Sequence, residues 1–265
     1  MREYKVKTRE CINWIKEYFK DNPDGKAIIG ISGGKDSTIA AALCVEALGP
    51  IRVIGVLMPN KVQTDIADSL KVCELLNIRY LTVNIGTVVE SLCNMIDFEN
   101  DSGDDYCINN PMIKTNLPAR LRMATLYAVA ALYPNSRVVN TCNRSEDYVG
   151  YSTKYGDAAG DFSPLGGLTV REVLEIGDDL GLPEYLVHKT PSDGMCGKSD
   201  EENMGIKYED IDNWLLCTGT VDKETRDKIL KMHAATRHKF YRMPMFAASD
   251  YVELYGEKER EENII

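Results

Sequence analysis

The sequence predicts a doubly wound α/β fold, a mostly parallel sheet with helices on both faces and a helical C-terminal part, on three observations. Short apolar runs at 27–31 and 51–58 have the length of buried strands, and 79–83 and 137–141 read as further strands. Helical stretches at about 37–48, 64–76 and 86–97 follow the first three, the alternation that makes right-handed parallel crossovers. A glycine pair, Gly33-Gly34, stands where the first strand gives way to the first crossover helix. Such a Rossmann-like sheet binds ligands outside the carboxyl ends of its strands, which is where that pair falls.

Taken in order, residues 8–19 put Cys11, Ile12, Ile15, Tyr18 and Phe19 on one helical face. Asn22-Pro-Asp-Gly25 turns the chain into the first strand. Ser32-Gly-Gly breaks that strand, Asp36-Ser37 opens the helix, and Gly49-Pro50 closes it. The run 51–58 stops at Pro59-Asn60. Residues 97–110 are polar and acidic and read as a solvated surface loop. The segment 117–133 reads as a long helix with Pro118 in its first turn. Its far end is apolar on most faces, so it belongs in the core or against a second subunit. Further helices are expected at about 169–181, 208–217 and 221–235, with a glycine-rich polar lid at 193–204 and a frayed charged tail from Gly256.

Composition bounds the function. A chain of 265 residues reads as one large domain, 1–265, with the apolar and charged content of an ordinary globule. No run is long enough to span a membrane, and the N-terminus lacks a signal-peptide core. The eight cysteines form no Cys-x-x-Cys pair, and five sit among apolar neighbours, which predicts reduced thiols and a cytoplasmic address. A formal charge of −10 and a pI near 4.9 argue against a nucleic-acid partner. His188 and His233 lack a companion carboxylate or cysteine pattern, and structural roles are expected for both.

The chemistry concentrates in 26–38. A strand, a glycine turn and a helix N-terminus in that order form an anion site, because glycine lets the backbone approach and free helical N–H groups point at the ligand. The Walker A spacing fails, since Lys35 is followed by Asp36 and position 29 is isoleucine. The motif SGGKDS at 32–37 instead resembles the pyrophosphate loop of the N-type ATP pyrophosphatases, which split ATP between its α and β phosphates.

Two further segments narrow that resemblance. Residues 116–122 read NLPARLR and residues 140–164 read NTCNRSEDYVGYSTKYGDAAGDFSP. With SGGKDS they are similar to the NAD synthetases, the ligases that amidate deamido-NAD. The resemblance covers about residues 8–246 and implies ATP as co-substrate, magnesium, free ammonia and a homodimer. It implies a metal held by Asp36 and Glu146, and Asp157 as the acid that receives ammonium and helps deprotonate it. ATP contacts carried over are Gly30, Ile31, Ser32, Gly33, Gly34, Lys35, Asp36, Ser37, Thr141 and Ser192. The deamido-NAD contacts are Asn116, Arg120, Tyr151, Lys154, Asp161, His238 and Lys239. Only 31 residues precede Ser32, so no glutaminase domain is expected ahead of the loop. The sequence departs from the family pattern where Val170, Leu57 and Phe240 replace cations. A tRNA-modifying pyrophosphatase and a non-catalytic nucleotide-binding module are the competing readings; the acidic pI opposes the first, and those three replacements support the second.

Overall fold

All four strands of the sheet run parallel, in the order β3-β2-β1-β4. In chain order these are β1 (Ala27–Gly30), β2 (Val53–Leu57), β3 (Arg79–Thr82) and β4 (Arg137–Val138). The computed structural model describes residues 4–62, 66–100, 106–188 and 199–244. Register is set by Ile28 opposite both Ile54 and Val138, and by Gly55 opposite Tyr80. Beyond β4 the chain continues the pairing through a parallel bridge between Val139 and Phe162. The order therefore reverses at β1, whose two neighbours lead away in opposite directions. That reversal is the switch point at which such sheets leave a crevice.

Every residue of β2 is buried, as expected of a parallel strand covered on both faces. One face packs against α1 (Val6–Tyr18), α2 (Lys35–Leu48) and α8 (Val170–Leu180), around Ile15, Phe19, Ile29, Leu43 and Ile176. The other face carries Ile28, Ile54 and Val56 against α4 (Gly86–Asn100), α5 (Tyr106–Asn109) and α6 (Pro111–Ala130). Between β2 and β3 lies α3 (Ile66–Leu75). A third cluster, holding Val149, Val170, Ile211 and Ile229, joins α7 (Arg144–Val149) and α8 to α11 (Tyr208–Leu216) and α12 (Lys223–Thr236). Two short helices, α9 (Glu184–Val187) and α10 (Asp200–Met204), complete the helical C-terminal part.

Four expectations shift. The first crossover helix begins at Lys35, two residues earlier than read, which makes Lys35 a first-turn residue. The acidic stretch 97–110 is not simply a solvated loop. Asp97 is buried and accepts a hydrogen bond from the Cys107 backbone at 2.8 Å, which clips α4 to α5. The long helix starts at Pro111, so Pro118 lies inside it rather than in its first turn. Asn110 is the reason: its side chain accepts from the Met112 and Ile113 amides at 3.0 and 3.3 Å, and Pro111 fits the next position. Of the lid read at 193–204, residues 193–198 lie outside the described residues, and Asp200–Met204 form α10 behind a Ser199 capping box. The tail also lies outside them.

Both histidines find side-chain partners, and for His188 that partner is a carboxylate the sequence did not point to. His188 pairs with Asp178 at 2.9 Å, and His233 stacks on Tyr148 with centroids 4.0 Å apart. Cys44, Cys73, Cys93, Cys107 and Cys142 are buried free thiols. Among the described residues no helix is long and apolar enough to cross a membrane.

Candidate active site

Outside the carboxyl end of β1 opens a cleft of about 1240 Å³. That exceeds the roughly 300–1,000 Å³ usual for a single small ligand. Its floor is the loop 32–34. Gly33 has φ +80, and a Cβ there would lie 2.9 Å from the Ser69 amide, so glycine is required twice over. Ser37 anchors the loop: its hydroxyl accepts from the Ser32 amide at 3.3 Å, donates to the Gly34 carbonyl at 3.1 Å and lies 3.0 Å from Ser32 Oγ. Gly34 is the N-cap of α2 and offers no capping side chain, which leaves the first-turn amides to a ligand.

Two carboxylates meet beside that loop through Asn143. Its Nδ2 donates to Asp36 Oδ1 at 3.1 Å, while its Oδ1 accepts from the Glu146 amide at 3.0 Å. Glu146 completes the capping box of α7 by accepting from the Asn143 amide through Oε2 at 3.2 Å. Oε1, 3.4 Å from the Tyr208 hydroxyl, remains for a ligand. Burial and then the Asp36 charge push the Glu146 carboxyl up to about 8. Hard oxygen donors that repel one another in a half-buried pocket fit a divalent cation such as magnesium. Lys35 completes this corner. It is 5% exposed, its Nζ lies 2.5 Å from Asp36 Oδ2, and it sits 5.5 Å from the centre of the Tyr208 ring. Burial opposes its charge, but Asp36 and Glu146 outweigh burial and hold it protonated.

The second half of the cleft is built by the chain after β4. Thr141 lines it, and Gly150 caps α7 at φ +68, where a Cβ would collide with Thr236 at 2.2 Å. Tyr151 also lines the cleft, its hydroxyl donating to Asp200 Oδ1 at 3.3 Å. Asp157 is fixed by the Thr153 amide on Oδ1 at 2.9 Å and faces the same space. Lys239 reaches in from beyond α12, donating to the Gly150 and Ser152 carbonyls at 2.7 Å each.

A Rossmann-like α/β protein whose switch-point cleft joins an anion-binding loop to paired carboxylates is a nucleotide-binding protein built for phosphate chemistry. The NAD synthase family model matches residues 7–249, and the chain belongs to that family. It is 36% identical over 246 residues to the NH3-dependent NAD+ synthetase of Alkaliphilus metalliredigens, covering 92% of this chain and 98% of that one. Among solved structures it is similar to the NMN synthetase of Francisella tularensis, with a TM-score of 0.79, 33% identity, and 92% and 98% of the two chains covered. It is also similar to the NH3-dependent NAD synthetase of Campylobacter jejuni, with a TM-score of 0.71, 27% identity, and 94% and 100% covered.

Most residues expected at the site converge. Gly30, Ile31, Ser32, Gly34, Lys35, Asp36 and Ser37 line the cleft, as do Asn116, Thr141, Tyr151, Asp157 and Lys239. Gly33 and Glu146 stand immediately behind that lining, bonded or packed to it. Others are placed elsewhere. Arg120 borders a separate hollow of about 340 Å³ between α4 and α6, and its Nε donates to the Lys154 carbonyl at 3.3 Å. Lys154 Nζ donates to the His238 carbonyl at 2.9 Å, and His238 Nδ1 lies 3.2 Å from the Ala235 carbonyl. Asp161 is engaged structurally, accepting from the Val138 amide at 2.7 Å and the Tyr127 hydroxyl at 3.2 Å. Ser192 lies outside the described residues.

The cation-replacing positions do not face the cleft. Leu57 and Val170 are buried in the core, and Phe240 is 41% exposed outside it. Neighbouring Arg171 turns to Asn213 at 2.8 Å. Arg122 supplies a cation that sequence reasoning left unassigned. It lines the cleft and donates to the Met58 carbonyl at 3.1 Å; burial lowers its pKa against the opposing charge of Asp157. The second arginine of NLPARLR was the available signal. Asp147 was also passed over. One of its oxygens is buried without a hydrogen-bond partner, and burial and then Asp157 push its carboxyl up to about 7.

Proposed function

We propose that this protein amidates the nicotinate carboxylate of deamido-NAD with ammonia, at the expense of ATP, giving NAD, AMP and pyrophosphate. The observation that carries this reading is that one cleft holds both the SGGKDS loop and the TKYGD segment. The loop accounts for nucleotide activation and the segment for acyl transfer. In the first step a carboxylate oxygen attacks the α-phosphorus, the bond to the β-phosphate oxygen breaks, and pyrophosphate departs toward the first-turn amides of α2, which Gly34 leaves uncapped. In the second, ammonia attacks the acyl carbon and AMP leaves with the former carboxylate oxygen. Asp157 takes the proton that ammonium must lose. Neither step requires a protein nucleophile, so positioning and charge neutralisation carry the catalysis.

Asp36 and Glu146 Oε1 would hold magnesium. Bound there, the ion would neutralise phosphate oxygens and favour pyrophosphate departure. Ammonia as nitrogen source follows the relatives named NH3-dependent. Asn116, Tyr151 and Lys239 hold the nicotinate side of the substrate, and Arg120, Lys154, Asp161 and His238 take part after rearrangement or at a subunit interface. The working form is a cytoplasmic homodimer of one-domain subunits.

The test is purified protein with ATP, magnesium, ammonium and deamido-NAD, assayed for NAD, AMP and pyrophosphate in equal amounts. AMP without NAD, or no AMP at all, defeats the proposal. Glutamine replacing ammonium should give no product. A second reading, that the product is NMN, is favoured by the higher TM-score against the Francisella NMN synthetase. The same assay with nicotinate mononucleotide decides between the two substrates.

A further inference from the structure

The least expected group in the phosphate corner is the ammonium of Lys35. It stands within the first turn of a helix that should welcome anions, yet it bonds a carboxylate rather than solvent. Its Nζ touches Asp36 Oδ2 at 2.5 Å, and the side chain is 5% exposed. Tyr208 closes the space from α11, with its ring 5.5 Å from Nζ and its hydroxyl 3.4 Å from Glu146 Oε1. Asn143 occupies the other oxygen of Asp36 at 3.1 Å. Asp36, Glu146 and Tyr208 thus surround one small volume, and Lys35 points its charge into it.

We propose that Lys35 is a tethered cation that fills the magnesium seat of the nucleotide-free enzyme and moves to the phosphates when metal and ATP enter together. The inference rests on Asp36 and Glu146 being that seat. Two adjacent, half-buried carboxylates without a counter-charge are costly, and Lys35 supplies one from within the chain. A divalent cation arriving alone would meet an ammonium a few ångströms away in a poorly screened pocket, and repulsion would exclude it. A metal arriving with a triphosphate brings anionic oxygens that give Nζ a new partner. The loop in front is open for that move, since a Cβ at Gly34 would meet only Ser32 Oγ within 4 Å. Lys35 follows Gly34 directly, so side-chain rotation alone sweeps Nζ from the carboxylates toward the anion space. The arrangement also supplies a phosphate cation in a chain where Val170, Leu57 and Phe240 supply none.

The experiment measures Mn²⁺ binding by calorimetry to nucleotide-free wild type, Lys35→Gln, and Lys35→Gln combined with Glu146→Gln. Wild type should bind weakly, Lys35→Gln at least ~10-fold more tightly, and the double variant as weakly as wild type or worse. α,β-Methylene-ATP should bind Lys35→Gln about 10-fold more weakly than wild type. Equal Mn²⁺ affinity in wild type and Lys35→Gln, abolished by Glu146→Gln, overturns the tethered cation and leaves the metal seat standing. Tight binding indifferent to Glu146→Gln removes the seat and the inference with it. Wild type alone provides a check free of any folding defect. Its melting temperature should not move with Mn²⁺ and should rise with Mn²⁺ plus the analogue, and a rise with Mn²⁺ alone as large as with the pair contradicts the proposal.

Discussion

At the scale of single residues, the proposed function divides the work between two acids that would prepare ATP and one that would prepare ammonia. Asp36 and Glu146 are held together by one asparagine, so removing either carboxylate disturbs the same corner. Asp36→Asn and Glu146→Gln should each lower AMP formation by on the order of 100-fold or more, while far-UV circular dichroism stays that of wild type. Pyrophosphate release at the wild-type rate in either variant would remove the metal assignment. The proposed function assigns Asp157 to the second step alone. Asp157→Asn should slow NAD formation by ~100-fold or more and leave the first-turnover burst of pyrophosphate intact. Loss of that burst would place Asp157 in nucleotide activation instead. The gathering of these three acids at one site was legible because each lies in a short motif that carries the family resemblance, and the structure brings the three to one cleft or its wall. Lys35, expected among the ATP contacts, was not legible as a counter-ion to the paired carboxylates. Its partner Tyr208 comes from a helix 173 positions away, and nothing local announces the contact.

At the scale of elements, capping decides where helices begin, and it is also where the sequence reading erred. Helix α6 starts at Pro111 because Asn110 satisfies two first-turn amides, a stronger start signal than Pro118. The acidic run before it hides Asp97, whose bond to the Cys107 amide depends on chain folding back ten residues later. Helix α8 was placed within a residue, and the structure shows it starting behind a Thr169–Glu172 capping box. Glu172 does more than cap. It accepts from the Thr169 amide at 2.8 Å and is ion-paired with Lys7 of α1, tying two helices that cover the same sheet face. Burial would raise its pKa, but Lys7 and the Thr169 amide prevail and hold it below its ordinary value. Such a depressed carboxylate stabilises the fold above the unfolded-state pKa, and the contribution disappears as pH falls through the folded-state one. Glu172→Gln should therefore cost about 1 kcal/mol in urea unfolding at pH 7 and almost nothing near pH 3. A cost that persists undiminished in acid would assign the loss to packing rather than charge.

At the scale of the whole molecule, the sheet accounts for the nucleotide end of the cleft but leaves part of the substrate machinery on an outer face. Arg120 points away from the cleft on the same helix face as Ala124, Tyr127 and Ala128, all of them exposed or half-buried at helical spacing. Phe98 of α4, Tyr106 of α5 and Met112 at the start of α6 are also apolar and open, at 84%, 60% and 70% exposure. In the proposed homodimer, this exposed face beside an arginine expected to hold a dinucleotide is the one a second copy would cover. A two-fold axis would set one α6 against its mate and bring Arg120 beside the partner's cleft, because such an interface is self-complementary. The acidic overall charge does not oppose this, since the face itself is apolar. Ala128→Glu would bury a carboxylate at the contact without touching the cleft lining. We expect it to yield monomers in sedimentation at micromolar concentration. Those monomers should lose deamido-NAD affinity by ~10-fold or more while keeping that for ATP, because the SGGKDS loop is complete within one subunit. Wild type that sediments as a monomer while fully active contradicts the arrangement. Monomers that lose both ligands equally would show that α6 orders the loop rather than the interface.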